Sequence, residues 1–512
     1  MRLLSLLLAV MLFPLAGSAQ QDRVNALYPE NLIYEGAFTL NAGASVGDYG
    51  RFGYGGDAFA YYPDGDPSGT NDGYPGSLFG AGHASGNYIT EVTIPVPGFS
   101  ATKSYTDLPR TSPVQPFADP FTGLPDYQRM GVWGLAYLSA QGQQSSGKLY
   151  ANIGNDYAAL PNQVHMAWLD VSLSNPNTAG FWRLGTYSQW DIGHYMFEIP
   201  KDWADQYVPG KTLACGRMRN WGAEGPNLFA CAPWENGNPP PAGDTLDGTP
   251  LMHFTGKSDK GFSVCSWYKA GAWLTYGQRS AVVMYCTQNY SLDFSYFSGP
   301  FGAGMYPTLL FYDPTDLSEV VQGSRNEWDI RWYARKNLDL CFTGEKLGPR
   351  GGNLNMEDNY FSPGGLAYDR QRGLLYVAQT LVKTSGEPQP VIHVFRIDTT
   401  AALAGQNAAR KTNGTPVLSV CPNPFNPMVK ITITNPPAGL GTNAKLKITT
   451  PELKIFDIRG KEVADLSSNI NSSKFIIRNS VIWNASGLPS GMYVLYLKTS
   501  GRVFSKSMTL LK

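Results

Sequence analysis

The chain has 512 residues, of which 40 are Lys or Arg and 40 are Asp or Glu, and only 16% are charged. This neutral balance, without a basic arm or stripe, argues against nucleic acid and other polyanions as partners. The 56 Gly and 37 Pro residues and the 13% aromatic content are typical of a loop-rich β protein, and they exclude coiled-coil, collagen-like and charged disordered chains.

The first 19 residues have the pattern of an export signal. Arg2 precedes an apolar run from Leu3 to Leu15, and the small residues Ala16 to Ala19 follow it. The run is well short of the ~20 residues that a membrane-spanning helix needs, so we predict a signal peptide in residues 1–19 that is removed after Ala19. We expect no transmembrane segment in the mature chain.

All six cysteines lie beyond this segment, and none belongs to a CxxC or CxxCH motif, which argues against zinc, haem and thioredoxin-type chemistry. An even number of cysteines in an oxidising compartment favours disulfides. Cys215 with Cys231, and Cys265 with Cys286, have separations that neighbouring strands could bridge. Buried free thiols are the alternative.

A strand, a turn and a second strand recur along the middle of the chain. The clearest copies begin with residues 56–61, 134–138 and 365–369, and a looser copy begins with residues 212–215. Alanines at positions 58, 136, 214 and 367 give a step of roughly 77 residues. This step predicts a further copy near position 290, for which Ala281–Cys286 is the nearest candidate.

Short strands separated by Gly and Pro, without a helical period, indicate an all-β fold. We predict a β-propeller over residues 20–398, because four-stranded blades around an axis bury both faces and leave only short edges. The step predicts five long blades, with six or seven as alternatives. Leu32–Phe38 is a spare strand that we expect to complete the last blade. The strings Gly53–Tyr61 and Gly80–His83 resemble a family of secreted β-propeller-like proteins, which implies fold and export but no activity.

Composition changes after this region. Residues 399–416 are rich in Ala, Asn, Gly and Thr without apolar periodicity, so we predict a linker there. Residues 417–512 contain about seven short alternating strands, which is the pattern of an immunoglobulin-like β-sandwich.

Four motifs in residues 417–512 resemble the C-terminal type A sorting domain of type IX secretion substrates. They are Pro422-Asn423-Pro424-Phe425-Asn426-Pro427, Asp457-Ile458-Arg459-Gly460-Lys461, Gly491-Met492-Tyr493 and Ser505-Lys506-Ser507-Met508-Thr509-Leu510-Leu511-Lys512. Each has a structural role too: Asp-x-x-Gly-Lys predicts a hairpin turn and Gly-x-Tyr the start of a strand. Cys421 departs from the usual pattern and is a candidate partner for Cys341.

This resemblance covers the last fifth of the chain and implies a partner and a location. The partner is the type IX secretion machinery, and the route crosses the outer membrane of a Gram-negative bacterium. In such substrates the domain is normally removed afterwards, and the protein is released or tethered to surface polysaccharide. We therefore expect an extracellular or outer-membrane surface location.

Catalytic signatures are weak. The candidate catalytic carboxylates are Asp57, Glu224 and Glu357, which lie at predicted strand starts or turns where several blades would converge on the axis. Two carboxylates serve as acid and base in glycoside hydrolysis, and the link to this chain is an analogy between folds. Carboxylates in solvated turns are the alternative.

Aromatic strings supply candidate ligand contacts. The side chains that could stack on sugar rings or hydrogen-bond hydroxyls are Trp221, Trp234, Trp328, Arg331 and Trp332. Packing between blades is the alternative for each of them.

One loop matches the first half of a calcium-binding loop. Asp64, Asp66, Ser68 and Asp72 place oxygens at alternate positions around a glycine turn, as calcium ligands do. The twelfth position, where a bidentate Glu is expected, is Pro75. A plain Asx-turn loop is the alternative, and calcium is the only cofactor that the sequence suggests.

Two functions remain open. The first is a surface-displayed or released propeller that binds extracellular glycan or protein, indicated by export, neutral charge and abundant aromatic residues. The second is a polysaccharide-acting hydrolase or lyase with carboxylates at the propeller axis.

Overall fold

The computed structural model describes residue 23 and residues 25–100, 102–124, 131–153, 164–187, 189–217, 226–254, 267–289, 305–339, 341–345, 361–399, 417–421, 425–434, 452–469, 478–499 and 502–511. Within these residues the fold is all-β, with a few short helices. The α-helices are α1 (Gln189–Ile192), α2 (Lys201–Tyr207) and α3 (Pro314–Val321), and the 3-10 helices span Pro29–Asn31, Pro67–Asn71, Tyr105–Asp107, Pro233–Glu235 and Ser467–Asn469. No helix in the described ranges is long and apolar enough to cross a membrane.

The strands before residue 400 form five sheets, which follow one another along the chain. The first strand is β1 (Leu32–Thr39). The first sheet contains β2 (Phe59–Tyr62), β3 (Ser77–Ala81), β4 (Ile89–Thr93) and β5 (Pro113–Ala118). The second contains β6 (Val132–Leu138), β7 (Lys148–Ile153), β8 (Met166–Leu169) and β9 (Ala179–Leu184), and the third contains β10 (Met196–Glu198), β11 (Leu213–Arg217), β12 (Asn227–Cys231) and β14 (Gly248–Met252).

The remaining sheets of this region repeat the arrangement. The fourth contains β15 (Trp267–Tyr276), β16 (Arg279–Asn289), β17 (Met305–Tyr312) and β18 (Ala334–Asn337), and the fifth contains β19 (Ser362–Asp369), β20 (Leu374–Val382), β21 (Gln389–Ile397) and β1. The short strand β13 (Thr245–Leu246) joins the second sheet in parallel to β9. Successive strands within each of the five sheets are otherwise antiparallel neighbours, as short hairpin connections require.

The fifth sheet joins the two ends of this region. Strand β1 pairs antiparallel with β21, so that Leu32 lies opposite Ile397 and Thr39 opposite Val391. The prediction that Leu32–Phe38 completes the last sheet is therefore confirmed.

Five apolar clusters of the described core lie between neighbouring sheets, one for each pair including the fifth and the first, and a small sixth cluster joins Ala37 and Leu108 to Val382 and Val391. Strand β16 shows the reason, since successive side chains of a strand point to opposite faces. Val282 and Met284 belong to the cluster shared with the third sheet, whereas Ala281 and Val283 belong to the cluster shared with the fifth. Each sheet thus buries both of its faces.

The predicted repeat is partly correct. Its clearest copies coincide with the first two strands of the first, second and fifth sheets. The copy at residues 212–215 lies in β11, the second strand of the third sheet, and Ala281–Cys286 lies in β16, the second strand of the fourth. The prediction that these two segments are first strands was wrong. The first strand of the third sheet, β10, has only three residues, and the first strand of the fourth sheet, β15, lies some twenty residues before the predicted position.

The C-terminal strands form two further sheets. Their strands are β22 (Val417–Cys421), β23 (Met428–Thr434), β24 (Glu452–Asp457), β25 (Glu462–Asp465), β26 (Arg478–Asn484), β27 (Gly491–Thr499) and β28 (Arg502–Leu510). One sheet has the order β22-β23-β26 and the other β25-β24-β27-β28, and both contribute to one apolar cluster around Phe425, Ile455 and Trp483.

Two of the sorting motifs have the predicted structural roles. The Asp457 carboxylate accepts the backbone N–H groups of Arg459 at 2.9 Å and Lys461 at 3.0 Å, and Gly460 has a φ of 80°. This closes the hairpin turn between β24 and β25. Gly491 begins β27, and the Tyr493 hydroxyl donates to the Pro489 carbonyl at 2.7 Å. Lys506 is exposed on β28, while Pro422, Asn423, Pro424 and Lys512 lie outside the described residues.

Candidate functional site

The first strands of the five sheets, β2, β6, β10, β15 and β19, contact one another in cyclic order. Every one of these strands contributes to the wall of a cavity of about 410 Å³. We call it the axial cavity. Its volume is in the range of ~300–1,000 Å³ that is usual for small-molecule sites.

Aromatic side chains form much of the cavity wall. They are Phe59, Tyr61, Tyr137, Phe197, Trp273 and Tyr368. Tyr137 and Tyr368 occupy the same place in the repeat, immediately after Ala136 and Ala367, and Tyr61 likewise follows an alanine, Ala60. The repeat itself therefore carried a signal for this site that the sequence analysis missed.

Hydrogen bonds hold the tyrosine rings in place. The Tyr61 hydroxyl donates to the Pro75 carbonyl at 3.0 Å, and the Tyr368 hydroxyl donates to the Thr275 carbonyl at 2.6 Å. Burial raises the pKa of Tyr368 to about 12 and also raises the pKa of Tyr61 and of Tyr137. These phenols are therefore protonated and neutral at physiological pH.

Two carboxylates and an arginine supply polar groups at the cavity. Arg370 binds Glu198 through Nε and Nη2, both at 3.0 Å, and its Nη1 donates to the Trp273 carbonyl at 3.2 Å. Asp369 is buried and accepts the Arg372 backbone N–H at 3.1 Å. The cavity thus combines ring faces with fixed donors and acceptors, which suits the binding of a hydroxylated ligand.

Asp57, a predicted catalytic carboxylate, lies two residues before β2. Its Oδ1 is 3.2 Å from the Lys269 Nζ, and both side chains are about four-fifths buried. The guanidinium of Arg217 lies 5.3 Å from the Trp133 ring centre, and the His194 ring lies 5.1 Å from the same ring. Burial, followed by the charges of Lys269 and Arg217, holds the pKa of His194 well below its usual value. Asp57 is therefore paired with the ammonium group of Lys269.

The other predicted catalytic residues, Glu224 and Glu357, lie outside the described residues, as does Trp221. Their roles stay predictions.

A carboxylate–imidazole–carboxylate arrangement was not predicted from the sequence. The His253 Nε2 lies 3.4 Å from the Asp191 Oδ1, and its Nδ1 lies 3.2 Å from the Glu327 Oε1. Burial lowers the pKa of His253, but the hydrogen bonds and charges of Asp191 and Glu327 outweigh it and raise the pKa above 6.5. The three residues are far apart in the sequence, so spacing carried no signal.

The three described tryptophans among the predicted ligand contacts pack into or against apolar clusters. Trp234 is only 1% exposed and packs at 6.0 Å against Tyr150 in the cluster between the second and third sheets. Trp328 and Trp332 pack against the cluster between the third and fourth sheets. Arg331 donates to the carbonyl groups of Trp328 and Ile330. These contacts match the packing alternative, and ligand binding by these residues stays a prediction.

The loop predicted to bind calcium forms Asx turns. The Asp66 Oδ1 accepts the Ser68 N–H at 2.9 Å, and the Asp72 Oδ1 accepts the Tyr74 N–H at 2.9 Å. Asp64 is exposed. In the part of the chain that the structure describes, no three His, Cys, Asp or Glu side chains are arranged to hold a metal ion. These hydrogen bonds are those of the Asx-turn alternative, and calcium binding by Asp64, Asp66, Ser68 and Asp72 stays a prediction.

Cys215 and Cys231 are buried on the adjacent strands β11 and β12, and both are thiols in the structure. The hydrogen bond between the Cys215 and Cys231 thiols, followed by burial, raises the pKa of Cys215. A disulfide between them stays a prediction, as do the pairs that involve Cys265 and Cys421, whose side chains lie outside the described part.

Comparison with known proteins identifies one segment. Residues 419–510 match the family model described as the secretion system C-terminal sorting domain. This segment contains β23 to β28 and the turn at Asp457. The chain is thus an exported protein with a type IX sorting tail, which implies a relationship with the secretion machinery and a secreted or cell-surface location.

No curated protein matches the chain. Among solved structures, the extracellular region of plexin A4 is 9% identical with a TM-score of 0.26, and the alignment covers 89% of this chain and 49% of that one. Dimeric latent PorU from Porphyromonas gingivalis is 11% identical with a TM-score of 0.17, over 73% of this chain and 32% of that one. The chain therefore spans about half the length of the first and a third of the second.

Proposed function

We propose that the protein is an exported five-bladed β-propeller whose axial cavity binds a glycan, followed by a linker at 399–416 and an immunoglobulin-like sorting domain at 417–512. The five sheets, their cyclic contacts and the pairing of β1 with β21 support the propeller. A ring of blades buries both faces of every sheet, in agreement with the five apolar clusters. Two sheets around one cluster support the sandwich.

The axial cavity is the observation that carries the binding function. Among its aromatic residues, Tyr61, Tyr137 and Tyr368 are partly exposed and can contact the C–H groups of a pyranose ring, and Arg370, Glu198 and Gln371 offer donors and acceptors for hydroxyl groups. Because Arg370 and Glu198 neutralise each other, the cavity suits a neutral sugar more than an ionised ligand.

Titration of the mature chain with mono-, di- and trisaccharides by calorimetry tests this function. The variant Glu198→Ala removes an acceptor at the cavity rim, where the side chain is 45% exposed, so the fold should be retained. We expect the affinity for the bound saccharide to fall about tenfold. Glu462→Ala is the matched control, because Glu462 is 42% exposed and also pairs with a cation, Lys454.

Equal affinity in Glu198→Ala and the control would contradict a cavity site. The same samples should be assayed with and without calcium for new reducing ends and unsaturated products. Either product would favour the hydrolase or lyase alternative and direct substitution to Asp57, Glu224 and Glu357.

A further inference from the structure

A second aromatic surface lies outside the axial cavity, on the connections before β2 and between β3 and β4. We call Tyr49, Tyr54 and His83 the aromatic platform. Tyr49 is 40% exposed and Tyr54 is 45% exposed, which is high for residues with large rings. The His83 ring lies between them, 5.0 Å from the Tyr49 ring centre and 5.6 Å from that of Tyr54.

The backbone holds these rings in position. The His83 N–H donates to the Tyr49 carbonyl at 3.3 Å, and the Ala84 N–H donates to the Tyr54 carbonyl at 3.2 Å. Tyr54 has a φ of 57°, a left-handed conformation that a bulky residue adopts only when its surroundings impose it. Such conformations are concentrated at functional sites, and here it accompanies an exposed ring.

Two glycines allow the connections to approach each other. A Cβ atom at Gly86 would lie 2.4 Å from the Tyr49 Cβ, and one at Gly55 would lie 2.4 Å from the Gly82 carbonyl oxygen. The platform is therefore preorganised, which reduces the entropy lost when a ligand binds.

Polar groups border the platform. The His83 Nδ1 accepts the Ser85 N–H at 3.0 Å, so the neutral ring carries its proton on Nε2, as a hydrogen-bond donor. Burial, followed by the charge of Arg51, lowers the pKa of His83 and keeps the ring neutral at neutral pH.

Arg51 also connects the platform to a cleft of about 480 Å³. Its guanidinium binds Glu387 through two hydrogen bonds, of 2.7 Å and 3.0 Å, and both residues line the cleft. Arg110 in the cleft wall and Asp48 near Arg51 complete a balanced set of two positive and two negative charges.

We infer that the aromatic platform and the adjoining cleft bind a neutral polysaccharide, with pyranose rings stacked on Tyr49 and Tyr54 and hydroxyl groups bound by Arg51 and Glu387. The balanced charges provide no excess of cations for uronate or sulfate groups, which is why the ligand is neutral. The site is independent of the axial cavity, since none of its residues lines that cavity.

Affinity gel electrophoresis of the mature chain, with soluble neutral polysaccharides in the gel, tests the inference. The probes are dextran, glucomannan and hydroxyethyl cellulose, with alginate and heparin as acidic probes. We expect retardation by at least one neutral probe, and about tenfold weaker binding in Tyr49→Ala and in Tyr54→Ala. Tyr54→Phe should bind as the wild type does, because it keeps the stacking ring. Tyr276→Ala is the matched control, with a tyrosine that is 42% exposed elsewhere.

Every outcome of this experiment either supports or overturns the inference. The inference would be overturned if Tyr49→Ala and Tyr54→Ala, with folding checked by circular dichroism, bound polysaccharide as tightly as the wild type. It would also be overturned if only the acidic probes, or no probe at all, retarded the protein. Repeating the series in the Glu198→Ala background separates the two sites. If the Glu198→Ala substitution abolished polysaccharide binding, that binding would be assigned to the axial cavity and not to the aromatic platform.

Discussion

Histidines in this protein show how surroundings decide the chemistry of a residue. Burial lowers the pKa of His165 and of His393 to about 3. His393 packs within β21 against Phe342 at 4.6 Å, as expected from its position in a strand. His253 is also buried, yet Asp191 and Glu327 raise its pKa. The sequence around each histidine contains no sign of this difference, because the partners come from distant segments.

His253 should make the stability of the fold depend on pH. Because its pKa is higher in the folded chain, its stabilising contribution is fully present below the unfolded value of about 6.5 and is lost as the pH rises through the folded value. We expect His253→Gln to lower the free energy of unfolding by about 2 kcal/mol at pH 6 and by less at pH 8. Urea unfolding of both proteins at several pH values measures the difference.

His83→Gln is the control for this titration. Because the pKa of His83 is lowered in the folded chain, the contribution of His83 to the free energy of unfolding increases as the pH rises, whereas that of His253 decreases. A difference between the wild type and His253→Gln that stays constant from pH 6 to pH 8 would argue against a charged His253 in the folded state.

Strand β1 illustrates constraints at the scale of one element. At Gly36 the register of β1 against β21 shifts by one residue, and the glycine has a φ of 121°. A Cβ atom there would lie 2.7 Å from the Gly98 carbonyl oxygen. Gly98 in turn exchanges both backbone hydrogen bonds with Ala37. The glycine is thus required by conformation and by space together.

Two glycine variants separate these requirements. Gly73 also has a positive φ, of 88°, but a Cβ atom at Gly73 would contact nothing within 4 Å. We expect Gly73→Ala to cost about 1 kcal/mol, from conformation alone, and Gly36→Ala about 3 kcal/mol or more. The free energies from urea unfolding provide the comparison. Equal costs would mean that the contact with Gly98 relaxes freely.

Strands were predictable where they carried a repeated pattern. The paired strands that begin near residues 56, 134 and 365 were identified because apolar and small residues recur there with an Ala-Tyr step. Strand β10 has three residues, Met196 to Glu198, too few to show alternation. Its place in the third sheet is determined by pairing with β11, which is a contact between segments.

The whole molecule combines an all-β region of five sheets with an export tail. The matched segment 419–510 lies beyond all five sheets that border the axial cavity, and it has its own apolar cluster. Export and the proposed ligand binding therefore involve different parts of the chain.

Deletion of residues 417–512 tests this division. We expect the shortened chain to be retained in the periplasm, because the sorting segment is missing, while its saccharide affinity after purification equals that of the full mature chain. Immunoblots of cell fractions and calorimetry measure the two outcomes. Secretion of the shortened chain at the wild-type level would contradict the role of the tail.

The sequence by itself determined the all-β class, the sorting tail and the place of β1 in the last sheet, because local alternation, turn residues and short motifs encode them. Only the tertiary structure decided which side chains meet: Glu198 with Arg370, His253 with Asp191 and Glu327, and Tyr49 and Tyr54 with His83. These partners lie on different strands and connections. Their proximity follows from how the sheets pack, and no spacing within a single segment records it.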